Sequence, residues 1–410
     1  MRTILEELPG ALMPDLQKES EDPGVERDVV DDDLVRPTVE DELPREVARG
    51  RRSPLSRHTS HSIGPLDRSL PLPLGLRLSL EGIRVTDVAV DMGFTHQALE
   101  RRSQGRAVDV GLFALIARAE PGLQSALAVA CAVERLGGRD DKTRRPSAST
   151  TAHRRIALDL LIIVENMRLL ACPALRAAGG RLGPRTLART AWRAAAGLLD
   201  GLCADDVFHA PFGVRRPLPA EEAEMLLRLL SDVEEPLLAL DPARAFSWLE
   251  GVGRLGPAIA RRLGVDGPAL RASGDVDDTP GIDLEAAPPL VIEGKGLRGC
   301  AWSRLRVRHA DAVDAAARLR TRLQALPDPE AEPPTLHDVA DGIGTAQVRG
   351  PAGTTAALVA IAGQRVQRLR LRPPDLALVA ALPPALVDVT LEDVAAVVAS
   401  FGIRASAVDR

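Results

Sequence analysis

The chain contains no tyrosine, and aromatic residues make up only 2% of it. That scarcity removes the stacking platforms on which proteins hold single-stranded nucleic acid and most of the usual interface anchors. Lys18, Lys142 and Lys295 are the only lysines, so arginine carries nearly all positive charge, as a GC-rich coding bias would produce. The net charge of −5 over 410 residues is too small to single out a partner of either sign, and no nucleic acid is expected. The four cysteines, Cys131, Cys172, Cys203 and Cys300, include no Cys-x-x-Cys pair. A metal site or disulfide framework would show clustered spacing. Scattered cysteines read as small buried hydrophobes in a reducing compartment. His153, His209, His309 and His337 are equally dispersed, so no metal is expected. Long apolar runs are missing too. Residues 156–170 come nearest, but Asp159, Glu165 and Arg168 interrupt them, and a bilayer span needs about 20 apolar residues. The start, Met1-Arg2-Thr3 with Glu6 and Glu7, lacks the apolar core of a secretory signal. The expectation is a soluble, cytoplasmic protein, attached to the cytoplasmic face of a membrane only through partners.

What is present suffices for one large domain or two ordinary ones, since 45% of the residues are apolar. Residues 1–60 are acidic and then basic, with the run Asp31-Asp32-Asp33 and the cluster Arg49, Arg51 and Arg52. Such a stretch reads as a disordered or loosely attached tail. The domain proper is expected over 61–410. Leu76, Leu78 and Leu80 alternate with Arg77 and Ser79, and Glu81-Gly82 turns the chain into Ile83-Arg84-Val85, a hairpin pattern. Helical spacing predicts helices over 110–116, 126–136, 152–170, 186–202, 221–231, 242–249 and 311–326. Residues 275–290 read as loop. Strands are predicted over 345–348, 355–361 and 366–371, with turns at Gly350-Pro351 and Ala362-Gly363, then a last helix over 391–400. The fold class is α+β, with long helices between a small N-terminal and a C-terminal sheet. Segments 126–136 and 152–170 are expected side by side in the bundle.

Several motifs follow one another in a fixed order. Gly64-Pro65 precedes the first strand. Gly93-Phe94-Thr95-His96-Gln97-Ala98-Leu99-Glu100 turns into a helix, and Ala132-Val133-Glu134-Arg135-Leu136 ends one. Gly213-Val214, Gly251-Val252-Gly253, Gly267-Pro268, Arg271-Ala272-Ser273-Gly274 and Ser303-Arg304-Leu305-Arg306-Val307-Arg308 come next. Arg370-Leu371-Arg372-Pro373-Pro374 and Val408-Asp409-Arg410 close the series. Over most of 61–410 this order resembles the family shared by the D subunit of NADH-quinone oxidoreductase and the large subunit of nickel-iron hydrogenases. The resemblance implies a subunit that holds no redox group itself and forms a quinone-side cavity against a small iron-sulfur subunit. NAD and iron-sulfur clusters would belong to partner subunits alone. Gly251-x-Gly253 stands in no strand–loop–helix unit, so this chain is assigned no nucleotide.

The departures bear on the chemistry. Hydrogenases of this family hold nickel with two Cys-x-x-Cys pairs, which would fall near residues 119–124 and 401–406. Neither stretch contains cysteine, and thiolate is the ligand such a metal needs, which excludes a hydrogenase site. Quinone-reducing relatives place a histidine in the first hairpin loop and a tyrosine on the helix of 126–136, because a reduced quinone needs transferable protons. Here the loop offers Asp67 and Arg68, and the tyrosine position is Val129. Ile162 and Asn166 replace a usual arginine and histidine, and Pro351-Ala352-Gly353-Thr354 replaces a Pro-Arg-Gly-Glu turn. Candidate proton-handling residues are therefore Asp67 and Asp159, and candidate quinone-cavity residues are Arg68, His96, Val129 and Arg216. Gly267, Pro268, Arg271, Ser273 and Gly274 read as framework, with Arg271 forked onto a carboxylate. His96 and Glu100 are either a cofactor-facing pair or an ordinary i,i+4 surface pair. Asp159, set among apolar residues, must be ion-paired, protonated or facing a wet cavity; Arg155 and Arg216 are the expected partners. Two functions remain open: a D-type subunit serving quinone, or a non-catalytic paralogue kept as a scaffold or assembly protein.

Overall fold

The computed structural model describes residues 58–65, 67, 70, 73–117, 122–137, 146–175, 183–203, 218–286, 297–326 and 339–404. The first sheet has the order β1 (His58–Ile63), β2 (Gly75–Glu81), β3 (Arg84–Asp91), all antiparallel. Alternation in β2 buries Leu76, Leu78 and Leu80 and leaves Arg77 and Glu81 exposed, as a strand with one solvated face requires. β1 begins within the stretch read as tail, at His58. Its sequence, His-Thr-Ser-His-Ser-Ile, has no apolar alternation, so pairing with β2 decides its conformation.

Five helices follow: α1 (Leu99–Ser103), α2 (Val110–Ala117), α3 (Gly122–Glu134), α4 (Ala148–Leu170) and α5 (Gly183–Cys203). Ser147 caps α4, its hydroxyl accepting from Thr150 N at 3.0 Å. Next are α6 (Ala220–Ala239), α7 (Pro242–Ala245), α8 (Pro257–Arg262), α9 (Gly267–Ala272) and α10 (Ala301–Gln324). The second sheet, β4 (Gly342–Arg349), β5 (Thr354–Ala362), β6 (Arg365–Arg372), is antiparallel throughout. The described chain ends with α11 (Asp375–Ala380), α12 (Leu382–Leu386) and α13 (Val394–Phe401).

Helices α4, α5, α6 and α10 pack in a ring, each against the next, and form the central bundle. The expected partnership of 126–136 with 152–170 is corrected here. Helix α3 lies mainly against β4, β5 and α2. It meets α4 through a buried fork in which Arg154 donates to Glu134 at 3.0 and 2.6 Å. Every residue from Leu123 to Val133 is buried, so no polar face betrays its neighbour. Gly344 permits the close approach to the sheet, because a Cβ there would stand 2.0 Å from Ala132 O.

Helix α10 starts at Ala301, well ahead of the predicted 311. Its inner stripe runs back through Arg304 and Arg308, which are 1% and 2% exposed. A periodicity judged on apolar residues stops short of them. No described helix is long and apolar enough to cross a membrane.

Candidate functional site

Three stretches distant in sequence meet at one end of the bundle. They are the end of α4 with residues 171–173, the Pro351-Ala352 turn between β4 and β5, and residues 402–404 after α13. Between them lies a cavity of about 400 Å³, lined among others by Glu165, Arg168, Cys172, Arg189, Trp192, Arg308 and Arg404.

Arg308 forms its inner wall. Its Nη1 donates to Asn166 Oδ1 at 3.1 Å and to Pro351 O at 3.2 Å, and its Nη2 donates to Phe401 O. Gly402 has φ 66°, and a Cβ there would lie 2.7 Å from Arg308 Nη2 and 2.6 Å from Leu169 Cδ1. Only glycine lets the guanidinium lie against this backbone. Burial pulls Arg308 down to about 10, because the charged form loses its water. One turn earlier, burial pulls Arg304 down to about 9. Arg304 donates to Gly253 O, Gly299 O and Ser400 Oγ and lies 3.9 Å from the Phe401 ring centroid.

The Pro351-Ala352 turn is held from several sides. Gln124 Nε2 donates to Val348 O at 3.0 Å and to Gly353 O at 2.9 Å. Asp266 accepts from Thr354 N at 2.7 Å, and burial pushes its carboxyl up to about 6. Gly267, at φ 62°, lies where a Cβ would come 2.8 Å from Gly353 Cα. Its N–H donates to Asp277 at 3.0 Å, and Asp277 also accepts from Arg349. Pro268 opens α9, and Arg271 forks onto Asp311 of α10 at 2.8 and 2.6 Å. Ser273 Oγ donates to Leu270 O at 2.6 Å, and Gly274 turns the chain at φ 88°. Of these five residues Gly267 packs against the turn, and none of them lines the cavity.

The other sequence-predicted residues scatter. Arg68 and Arg216 lie outside the described residues. Asp67 is exposed on the loop after β1. Val129 is fully buried in α3, enclosed by core rather than facing the cavity. His96 borders a separate surface depression with Glu100, Arg101 and Arg370. Glu100 accepts there from Arg370 at 2.5 Å and from Leu371 N at 2.9 Å. Asp159 does not take the expected Arg155 as its ion pair, and the other expected partner, Arg216, lies outside the described residues. Arg318 Nε donates to it at 3.0 Å, and Arg322 also donates to it, both from α10. The period of α10 places Arg318 and Arg322 one turn apart on one face, but which helix receives that face is a matter of packing. Burial outweighs both guanidiniums and pushes the Asp159 carboxyl up to about 6.

Residues marked in the sequence only as departures from the resemblance do converge. Asn166, Pro351-Ala352 and residues 401–404 all reach Arg308 or its cavity. The signal for Arg308 was its spacing: Arg304, Arg308, Ala312 and Ala315 form one helical stripe. No group of three or more His, Cys, Asp or Glu able to hold a metal occurs among the described residues. Burial pushes the Cys172 thiol up, which disfavours the reactive thiolate. Guanidiniums donate hydrogen bonds but do not give up protons. The lining arginines can therefore bind and orient oxygen acceptors.

No protein-family model and no curated protein matches the chain. Among solved structures, the chain is similar to one from the membrane-bound sulfane sulfur reductase, an archaeal respiratory membrane complex. The TM-score is 0.70 at 22% identity, over 86% of this chain and 98% of that one. The protein thus has an α+β, hydrogenase-large-subunit-like fold, a helical bundle between two three-stranded sheets.

Proposed function

We propose that this chain is a large peripheral subunit of a multisubunit respiratory membrane complex, docked on a small iron-sulfur subunit. The carrying observation is the fold likeness, over 86% of this chain, to a chain of such a complex. In this reading, the chain holds no redox group, and NAD and clusters stay on partners. The Arg308 cavity is the acceptor-side chamber, where quinone carbonyl oxygens would accept from guanidinium donors. The test is to tag the chain in its native cell and isolate it from solubilised membranes. Co-isolation of an iron-sulfur subunit and integral membrane subunits is expected. Recovery of the chain free of both would remove the proposal.

A second reading, a non-catalytic scaffold, is favoured by Val129 standing buried where relatives carry the tyrosine donor. It is favoured as well by a cavity whose described lining holds no imidazole. NADH-driven quinone reduction by the isolated assembly separates the two. Activity abolished by Arg308→Lys supports the chamber, whereas an intact assembly without such activity supports the scaffold.

A further inference from the structure

Among the described residues, no carboxylate hydrogen-bonds Arg308 at the cavity wall. Arg308 and Arg404 line the cavity, Arg271 acts on Arg308 from behind the lining, and two carboxylates accompany them. Asp311 is taken by Arg271 at 2.8 and 2.6 Å. Asp375 is taken by Arg404 at 3.3 and 3.0 Å. Arg308 is left with the neutral acceptors Asn166 Oδ1, Pro351 O and Phe401 O. The carbonyl end of α13 offsets roughly half a charge. Two buried donors, Arg308 Nε at the cavity wall and Asn166 Nδ2 behind the lining, have no hydrogen-bond partner among the described residues. A buried cation and buried donors without acceptors are both costly. Nearer the mouth, Arg168 is paired with Glu165 at 2.8 Å, and Arg189 adds a further positive charge to the described lining. An oxygen-rich anion at Arg308 supplies a counter-charge and an acceptor together.

We propose that this cavity binds a small carboxylate or oxoanion bearing a short apolar body. Leu169, Trp192 and Ile403 provide the apolar wall. The volume of about 400 Å³ leaves room beyond a bare sulfate, so a dicarboxylate binds more tightly. The step is binding only, and no bond is made or broken. The inference rests on the same chamber as the function proposed above, but on neither the partner subunit nor electron transfer.

The test uses the full chain, titrated separately with succinate, sulfate and inorganic phosphate against sodium chloride at matched ionic strength. Binding is read by calorimetry and by tryptophan emission. Saturable one-to-one binding is expected, tightest for succinate and absent for chloride. Arg189→Gln, an exposed change that spares the core, weakens it about fivefold, as loss of a rim charge does. Arg308→Lys, which loses the planar donor fork, weakens it about tenfold or more. Trp192→Phe abolishes the emission change and keeps the heat. The inference is overturned if none of the three anions binds saturably, or if both arginine variants bind as the wild type does. A decyl-quinone titration separates the two proposals. Quinone binding that depends on Arg308, with no anion binding, keeps the chamber and removes the anion. Anion binding by a chain that associates with no membrane complex does the reverse.

Discussion

Gly267 illustrates how much of the site hangs on single residues that never touch the cavity. Its φ of 62° is one that side chains rarely adopt, and a Cβ would fall 2.8 Å from Gly353 Cα and 2.9 Å from Ala352 O. Both contacts are backbone of the turn that lines the cavity, so neither can swing aside. Gly267→Ala should therefore cost about 2–4 kcal/mol through strain and overpacking, measured by urea denaturation. A loss within error of zero would mean that the turn is not braced as described. That Gly267-Pro268 marks a turn was legible from composition. Which backbone the glycine admits was not, because residues 267 and 353 meet only across the fold.

The helices show the same division. The existence and approximate limits of α4, α5 and the three C-terminal strands were readable from period and punctuation. The start of α10 was not, since Arg304 and Arg308 sit on its buried stripe and count as polar in any apolar pattern. Helices α8, α9, α11 and α12 are five or six residues long, too short for a periodicity to declare them. Between elements, the Arg271–Asp311 fork ties α9 to α10, and Asp311 also favours the charged form of Arg308. Asp311→Asn would leave Arg271 largely buried without its counter-charge, at a cost of about 3 kcal/mol. Equilibrium unfolding in denaturant checks this, and an unchanged midpoint would show that the fork is dispensable.

Across the whole molecule, two carboxyls at separate junctions titrate in the same direction. Asp159, between α4 and α10, and Asp266, beneath the β4–β5 turn, are both raised by burial from 3.8 to about 6. A raised carboxyl makes the folded state bind more protons than the unfolded state between those values. Its stabilising contribution is therefore present below about pH 4 and is lost as pH rises through 6. Wild type should lose stability relative to Asp266→Asn between pH 4 and pH 7, followed by thermal unfolding across that range. Asp159 keeps a residual slope in the variant. A difference that stays flat, or that grows in favour of wild type with pH, would contradict the assignment.

The order of motifs along the chain, the α+β class and the missing thiolate pairs all follow from local residue patterns, which report what each segment can form. The Arg308 cavity does not. It depends on Asn166, Arg308, Pro351 and Phe401 being brought together from four separate elements. Their spacing in the chain carries no trace of that meeting. Burial then assigns the chemistry, because an arginine is a solvated surface charge until neighbouring elements exclude its water and claim the nearby carboxylates. Patterning could say that Asp159 needed a partner, yet only packing could choose Arg318 and Arg322 over Arg155, nearer in sequence.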